Sequence, residues 1–102
     1  MSDLVAFRAA PAPPEGASGA LAALWWEARG DWARAHAAAQ ADPSRAGSAV
    51  HAYLHRLEPD PDNARYWYAR AGRPEATGAP EAEWAALVRE LLADVSTHGG
   101  TP

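Results

Sequence analysis

Residues 44–72 read SRAGSAVHAYLHRLEPDPDNARYWYARAG, and the fold turns on where this stretch breaks. Apolar residues recur three and four positions apart on both sides of the break, as Val50, Tyr53, Leu54 and Leu57 before it and Ala64, Trp67, Tyr68 and Ala71 after it. That is the period of a helix with one buried face. Pro59 ends the first helix by Glu58, because the residue ahead of a proline is pushed out of helical backbone. Asp60 opens the second as its N-cap, with Pro61 at the first position, where a missing N–H costs nothing. Gly72 and Pro74 close it. The stretch predicts a helical hairpin.

Working upstream, Ser18 to Arg29 carries Leu21, Leu24, Trp25 and Ala28 on one stripe and ends at Gly30, a left-handed C-cap. Asp31 caps the next helix, whose inward stripe is Trp32, Ala35, His36 and Ala39, and which stops near Ala41 ahead of Asp42-Pro43. Downstream, a loop through Thr77, Gly78 and Pro80 leads into a fifth helix with Trp84, Leu87, Val88, Leu91 and Val95 on one face and Glu81, Glu83, Arg89 and Glu90 off it. Residues 1–17 hold Pro11, Pro13, Pro14 and Gly16 and are expected as an extended or mobile arm, from which Leu4, Val5 and Phe7 can dock. Residues 18–97 then form a single helical domain, and 98–102 a frayed tail. The expected fold is all-α, two helical hairpins plus a C-terminal closing helix.

GDWARA at 30–35 aligns with PDPDNA at 59–64, which superposes the two hairpins twenty-nine residues apart (Asp31 on Asp60). Such self-similarity marks stacked helical repeats. Trp26, Gly30, Asp31, Trp32 and Ala35, with Ala52, Ala64, Tyr68 and Ala71, resemble the tetratricopeptide motif over residues 18–74. The spacing falls short of the ~34 residues of that repeat, and Pro59 stands where its turn glycine is expected. The resemblance implies a repeat that binds a peptide or protein. VHAYLHRLE followed by NARYWYARAG also resembles a group of short bacterial proteins, a likeness that implies no particular chemistry.

With 102 residues the chain is sized for one core. Its net charge is −4, all nine cations are arginine, and no basic cluster could track a phosphate backbone, so no nucleic acid partner is expected. Without cysteine there is no disulfide, thiolate nucleophile or Cys-based zinc site. The apolar runs are short and the N-terminus lacks a signal-like pattern, so the expectation is a cytoplasmic protein with no membrane association. No phosphate loop, nucleophile elbow or Ser/His/Asp spacing occurs.

The residues able to carry chemistry crowd into three helices: His36, Gln40, His51, His55, Glu58, Tyr66, Trp67 and Tyr68. His51 and His55 are one turn apart and Glu58 follows three residues on, so all three project from one face. His36 and Gln40 share a face of the preceding helix. Two histidines and a carboxylate suit a divalent ion such as zinc, iron or manganese, with His36 as a further ligand and an open position for water. Against Glu58 stands its place at a helix C-terminus, where the dipole disfavours negative charge. Haem ranks below a bare metal, since so small a core hardly holds it. The plainer alternative makes the histidines polar groups at helix contacts, bonded to carbonyls or to Asp31 or Glu27. Arg56, Arg65, Arg70 and Arg73 are candidates to clamp a carboxylate, or form a solvated face.

Three functional expectations follow. The first is a binding module without catalysis or cofactor, whose first and third helices present a groove to a protein, peptide or small-molecule ligand, with Tyr53, Arg56 and Glu27 as contacts. His36, Gln40, His51, His55, Tyr66 and Tyr68 extend that lining. The alternative is a small metal- or cofactor-binding protein or enzyme centred on His36, His51, His55 and Glu58, with Tyr66 or Tyr68 as hydrogen-bond donor. The third is a self-associating protein, a possible homodimer through Trp25 and Trp26.

Overall fold

Ser18, Asp31, Ser44 and Asp60 each turn a side-chain oxygen onto the backbone N–H three residues ahead. Leu21, Arg34, Gly47 and Asn63 donate, at 3.1, 3.0, 3.1 and 3.4 Å. Each bond satisfies one of the N–H groups a helix start leaves unpaired. They begin α2 (Gly19–Ala28), α3 (Trp32–Gln40), α4 (Arg45–Leu57) and α5 (Pro61–Ala71). Gly30 and Gly72 adopt positive φ, +78° and +70°, and let Asp31 N–H and Arg73 N–H reach back to the Trp26 and Tyr68 carbonyls. With α1 (Asp3–Ala9) ahead of them and α6 (Pro80–Gly99) behind, these helices make the protein all-α. The computed structural model describes residues 3–99, with side chains to residue 94, and no strand occurs among them.

Two expectations at the ends of the chain are corrected. Residues 3–9 are helical where an extended arm was expected. The prolines at 11, 13 and 14 bar a helix from continuing through them but leave the residues ahead free to coil. Seven residues do not hold a helix in water, so the body holds this one. Phe7 is buried with its ring 5.9 Å from that of Trp84. The C-terminal carbonyls of α1 accept from Arg29, at 3.0 Å to Arg8 and in a short contact to Ala10, and from Trp25 Nε1 at 3.1 Å to Ala10. Val5 stays largely exposed. At the other end α6 runs through His98 and Gly99, because propagation needs only one further backbone hydrogen bond per residue and no apolar pattern. Residues 100–102 of the expected tail, and the Val95 side chain, lie outside what is described.

The helices pack in sequence, α2 on α3, α3 on α4 and α4 on α5, and α6 lies across α2 and α4. Every residue of α4 from Gly47 to Ser48 and on to His55 is buried. The single inward stripe read from the sequence therefore understates α4, which is enclosed on all sides. Its polar members Ser48, His51 and His55 are inside the protein because of where the helix sits. Close approach at its start needs Gly47, where a Cβ would come within 2.1 Å of the Asp42 carbonyl oxygen. Asp42 in turn accepts from Ala20 N at 2.9 Å and from Ser44 N and Oγ at 3.0 and 2.6 Å, tying the start of α2 to the α3–α4 turn. Burial raises its carboxyl pKa, but these bonds outweigh burial and hold it below the usual value.

Candidate metal centre

On α3, Trp32 and His36 stand one turn apart; on α4, His51 and His55 do the same. Helical spacing aims each pair along one face, and the packing of α3 on α4 turns the two pairs toward each other. Three of the four histidines of the chain meet there, with one ring nitrogen from each lying within 4.8 Å of the others. His36 Nε2 and His51 Nε2 are 2.9 Å apart, one donating and the other accepting. The His51 and His55 rings stack at 4.9 Å. His51 and His55 are 3% and 8% exposed, while His36 is half-buried and forms the side open to water.

Two tryptophans wall the cluster. Trp67 of α5 stacks on His51 with centroids 3.9 Å apart, and Trp32 stacks on His36 at 4.7 Å. The Trp32 indole is itself pinned, donating to the Leu54 carbonyl at 3.3 Å. Behind these walls His51 and His36 resist protonation. Burial, then the neighbouring His36 and His55, pushes His51 down to about 4; burial and His55 lower His36, against an upward pull from Glu58. At neutral pH both are uncharged, and a metal would take the place of the proton they share once the donor ring carries its own on Nδ1. His55 Nδ1 is buried and has no hydrogen-bond partner. An orphaned buried nitrogen costs about 1–3 kcal/mol, and a metal ion is one way to occupy it.

The remaining predicted residues separate from this group. Glu58 is the exposed C-cap of α4 and is not among the residues whose ligand atoms converge. The chain has turned out of the helix there, and water solvates the carboxylate better than a helix C-terminus would. Gln40 is exposed one turn beyond His36 and is not among the grouped residues either. Tyr66 is 52% exposed, with Arg70 Nη1 donating to its hydroxyl at 3.1 Å.

Arg56 and Tyr68 are engaged in fastening α6, and Tyr53 in holding α2. Tyr68 donates to Glu83 Oε2 at 2.6 Å, and Arg56 pairs with Glu83 Oε1 at 2.8 Å and reaches the Gly78 carbonyl. Tyr53 is buried and bonded to Glu27. Burial, followed by the adjacent carboxylates, raises both tyrosines, so the hydroxyls remain donors. Burial likewise raises Glu27, against the Tyr53 hydrogen bond. The groove expected between the first and third helices is thus filled: Trp84 of α6 enters it and donates to the Leu24 carbonyl at 3.1 Å. Glu83 was read as a solvent-facing residue of α6. Its one signal was its place beside Trp84, the deepest side chain of that helix's first turns.

The arginines expected as a clamp are largely taken up by carboxylates of the chain: Arg65 by Asp62 and Glu75, and Arg73 by Glu90. Arg70 lies over the Tyr66 and Trp67 rings, 5.9 and 5.4 Å from their centroids. Trp25 is buried under the α1 terminus and the Arg29 guanidinium, and Trp26 is half-buried, so neither forms an exposed aromatic face for self-association. Among the described residues no helix is long and apolar enough to cross a membrane. Comparison with known proteins finds no matching family model, no matching curated protein and no matching solved structure.

Proposed function

We propose that this chain binds a divalent transition-metal ion through His36, His51 and His55. The observation that carries the reading is the convergence of three imidazoles, with burial keeping His36 and His51 uncharged and His55 holding a buried ring nitrogen that lacks a partner. Ligands at about 2.0–2.1 Å from a tetrahedral ion stand roughly 3.3 Å apart. The 2.9 Å between His36 and His51 opens slightly to reach this, and the wider spacing, at most 4.8 Å, closes by up to about 1.5 Å. An all-imidazole set suits zinc, cobalt, nickel or copper and disfavours magnesium and calcium, which take oxygen ligands. Three protein ligands leave the fourth position for water or another exogenous group, the pattern of zinc sites that do chemistry. The packing of α6 on α2 and α4, with Trp84 on the Leu24 carbonyl, supports this reading over a peptide-binding groove between those helices.

The test is elemental analysis of untagged protein dialysed against zinc, with affinity measured by competition against a chelator. One zinc per chain is expected. His51→Ala and His55→Ala should each weaken binding by at least about 100-fold, beyond the 10–100-fold typical of losing an outer-shell partner, and Glu58→Gln should retain it. Zinc bound as well by the histidine variants as by the wild type, or not at all, overturns the reading.

A further inference from the structure

We propose that the fourth position of this centre takes a small anion, admitted on the half-buried His36 side and favoured by the charge of Arg70; the inference rests on the metal reading above. Three imidazoles are neutral ligands, so a divalent ion keeps its whole charge once bound. Among the described residues the converging group contains no carboxylate to offset it. Two carboxylates act on the cluster from outside that group. Glu58, which acts on His36, is exposed, and its field is screened by water. Asp60, coupled to His55, already accepts from Asn63 N and Nδ2 as the cap of α5.

On the inner side, the walls are the Trp32 and Trp67 rings, and His51 and His55 are almost fully buried. Uncompensated charge against such walls is costly, and a negative ligand on the metal removes much of that cost. Zinc with three imidazoles and one monoanion carries a net charge of +1 in place of +2. His36 is the half-buried ligand, so the exchangeable position opens beside it. Arg70 adds a positive charge to the outer face of the Trp67 that covers His51, and Tyr66 holds it there through its hydroxyl. A single open position on a tetrahedral ion takes one donor atom, which suits a small monoanion such as hydroxide, azide or a short carboxylate.

Cobalt(II) substitution reads the fourth ligand directly, because the visible d–d bands follow coordination. Azide added to the cobalt-loaded wild type should shift these bands saturably. Arg70→Gln should leave cobalt stoichiometry unchanged and raise the azide dissociation constant about two- to fivefold, the factor expected from one exposed charge. A stoichiometric cobalt site whose bands ignore azide overturns this inference and leaves the metal reading standing. If no cobalt binds, both fall. An azide response identical in wild type and Arg70→Gln overturns the part given to Arg70.

Discussion

His55 separates a structural histidine from a ligand. Its Nδ1 is buried without a partner while its ring packs against His51 and Trp32. Phenylalanine keeps the ring and removes the orphaned nitrogen, so in metal-free protein His55→Phe should be neutral or stabilising by up to about 1 kcal/mol, since deleting an unsatisfied buried group relieves its desolvation. Chemical denaturation checks this, and a loss above 2 kcal/mol would mean that the nitrogen has a structural partner. His51 gives the pH dependence. Its ordinary value of 6.5 falls to about 4 in the folded chain, so the unfolded chain takes up the proton first. The contribution is complete above pH 6.5 and is lost as pH drops toward 4, by at most about 3 kcal/mol shared with its neighbours. Urea titrations across that range should show the decline, and His51→Phe should flatten it. The pairing of His51 with His55 was legible in the sequence, since helical spacing alone puts them on one face. That Trp67 stacks on His51 was not, because it depends on how far α5 slides along α4. That Glu58 stands apart from the converging rings was half legible, in its place at a helix end.

Among the elements, α4 is the one whose surroundings decide the site, and its entry depends on Gly47. Alanine in a helix ordinarily stabilises by up to about 1 kcal/mol over glycine. Here the added Cβ meets the Asp42 carbonyl at 2.1 Å and the Asp42 Cβ at 2.8 Å, so the sign reverses. Gly47→Ala should cost about 3 kcal/mol, the upper range for overpacking, measurable as a lowered midpoint in thermal unfolding. Phe7→Ala should cost a similar amount, about 3 kcal/mol, and should also lower helicity by circular dichroism, since α1 depends on that contact. The boundaries of α2 to α5 were readable because caps, glycines and prolines act locally: Ser18, Asp31, Ser44 and Asp60 start helices wherever the body lies. Helix α1 was unreadable for the opposite reason. Its stabilising partners, Trp25, Arg29 and Trp84, are distant in sequence, and nothing in DLVAFRA announces them. The enclosure of α4 was hidden likewise, since a helix with His51 and His55 beside its apolar stripe reads as having a polar face until α3 and α5 cover it.

At the scale of the whole molecule, the three histidines join α3 to α4, a joint that a bound metal would tighten, and the Trp67 stack extends it to α5, while the Glu83 contacts with Arg56 and Tyr68 fasten α6 on another face of α4. Binding that favours the folded chain stabilises it by about 2.7 kcal/mol at a free-ion concentration 100 times the dissociation constant. For a domain of this size that raises the thermal midpoint by roughly 10 °C or more. The most direct test of the account is X-ray absorption at the zinc edge on protein loaded with one equivalent. The account expects a first shell of four light atoms near 2.0–2.1 Å, with the outer-shell scattering of three imidazole rings. A shell of oxygens without imidazole scattering would contradict it.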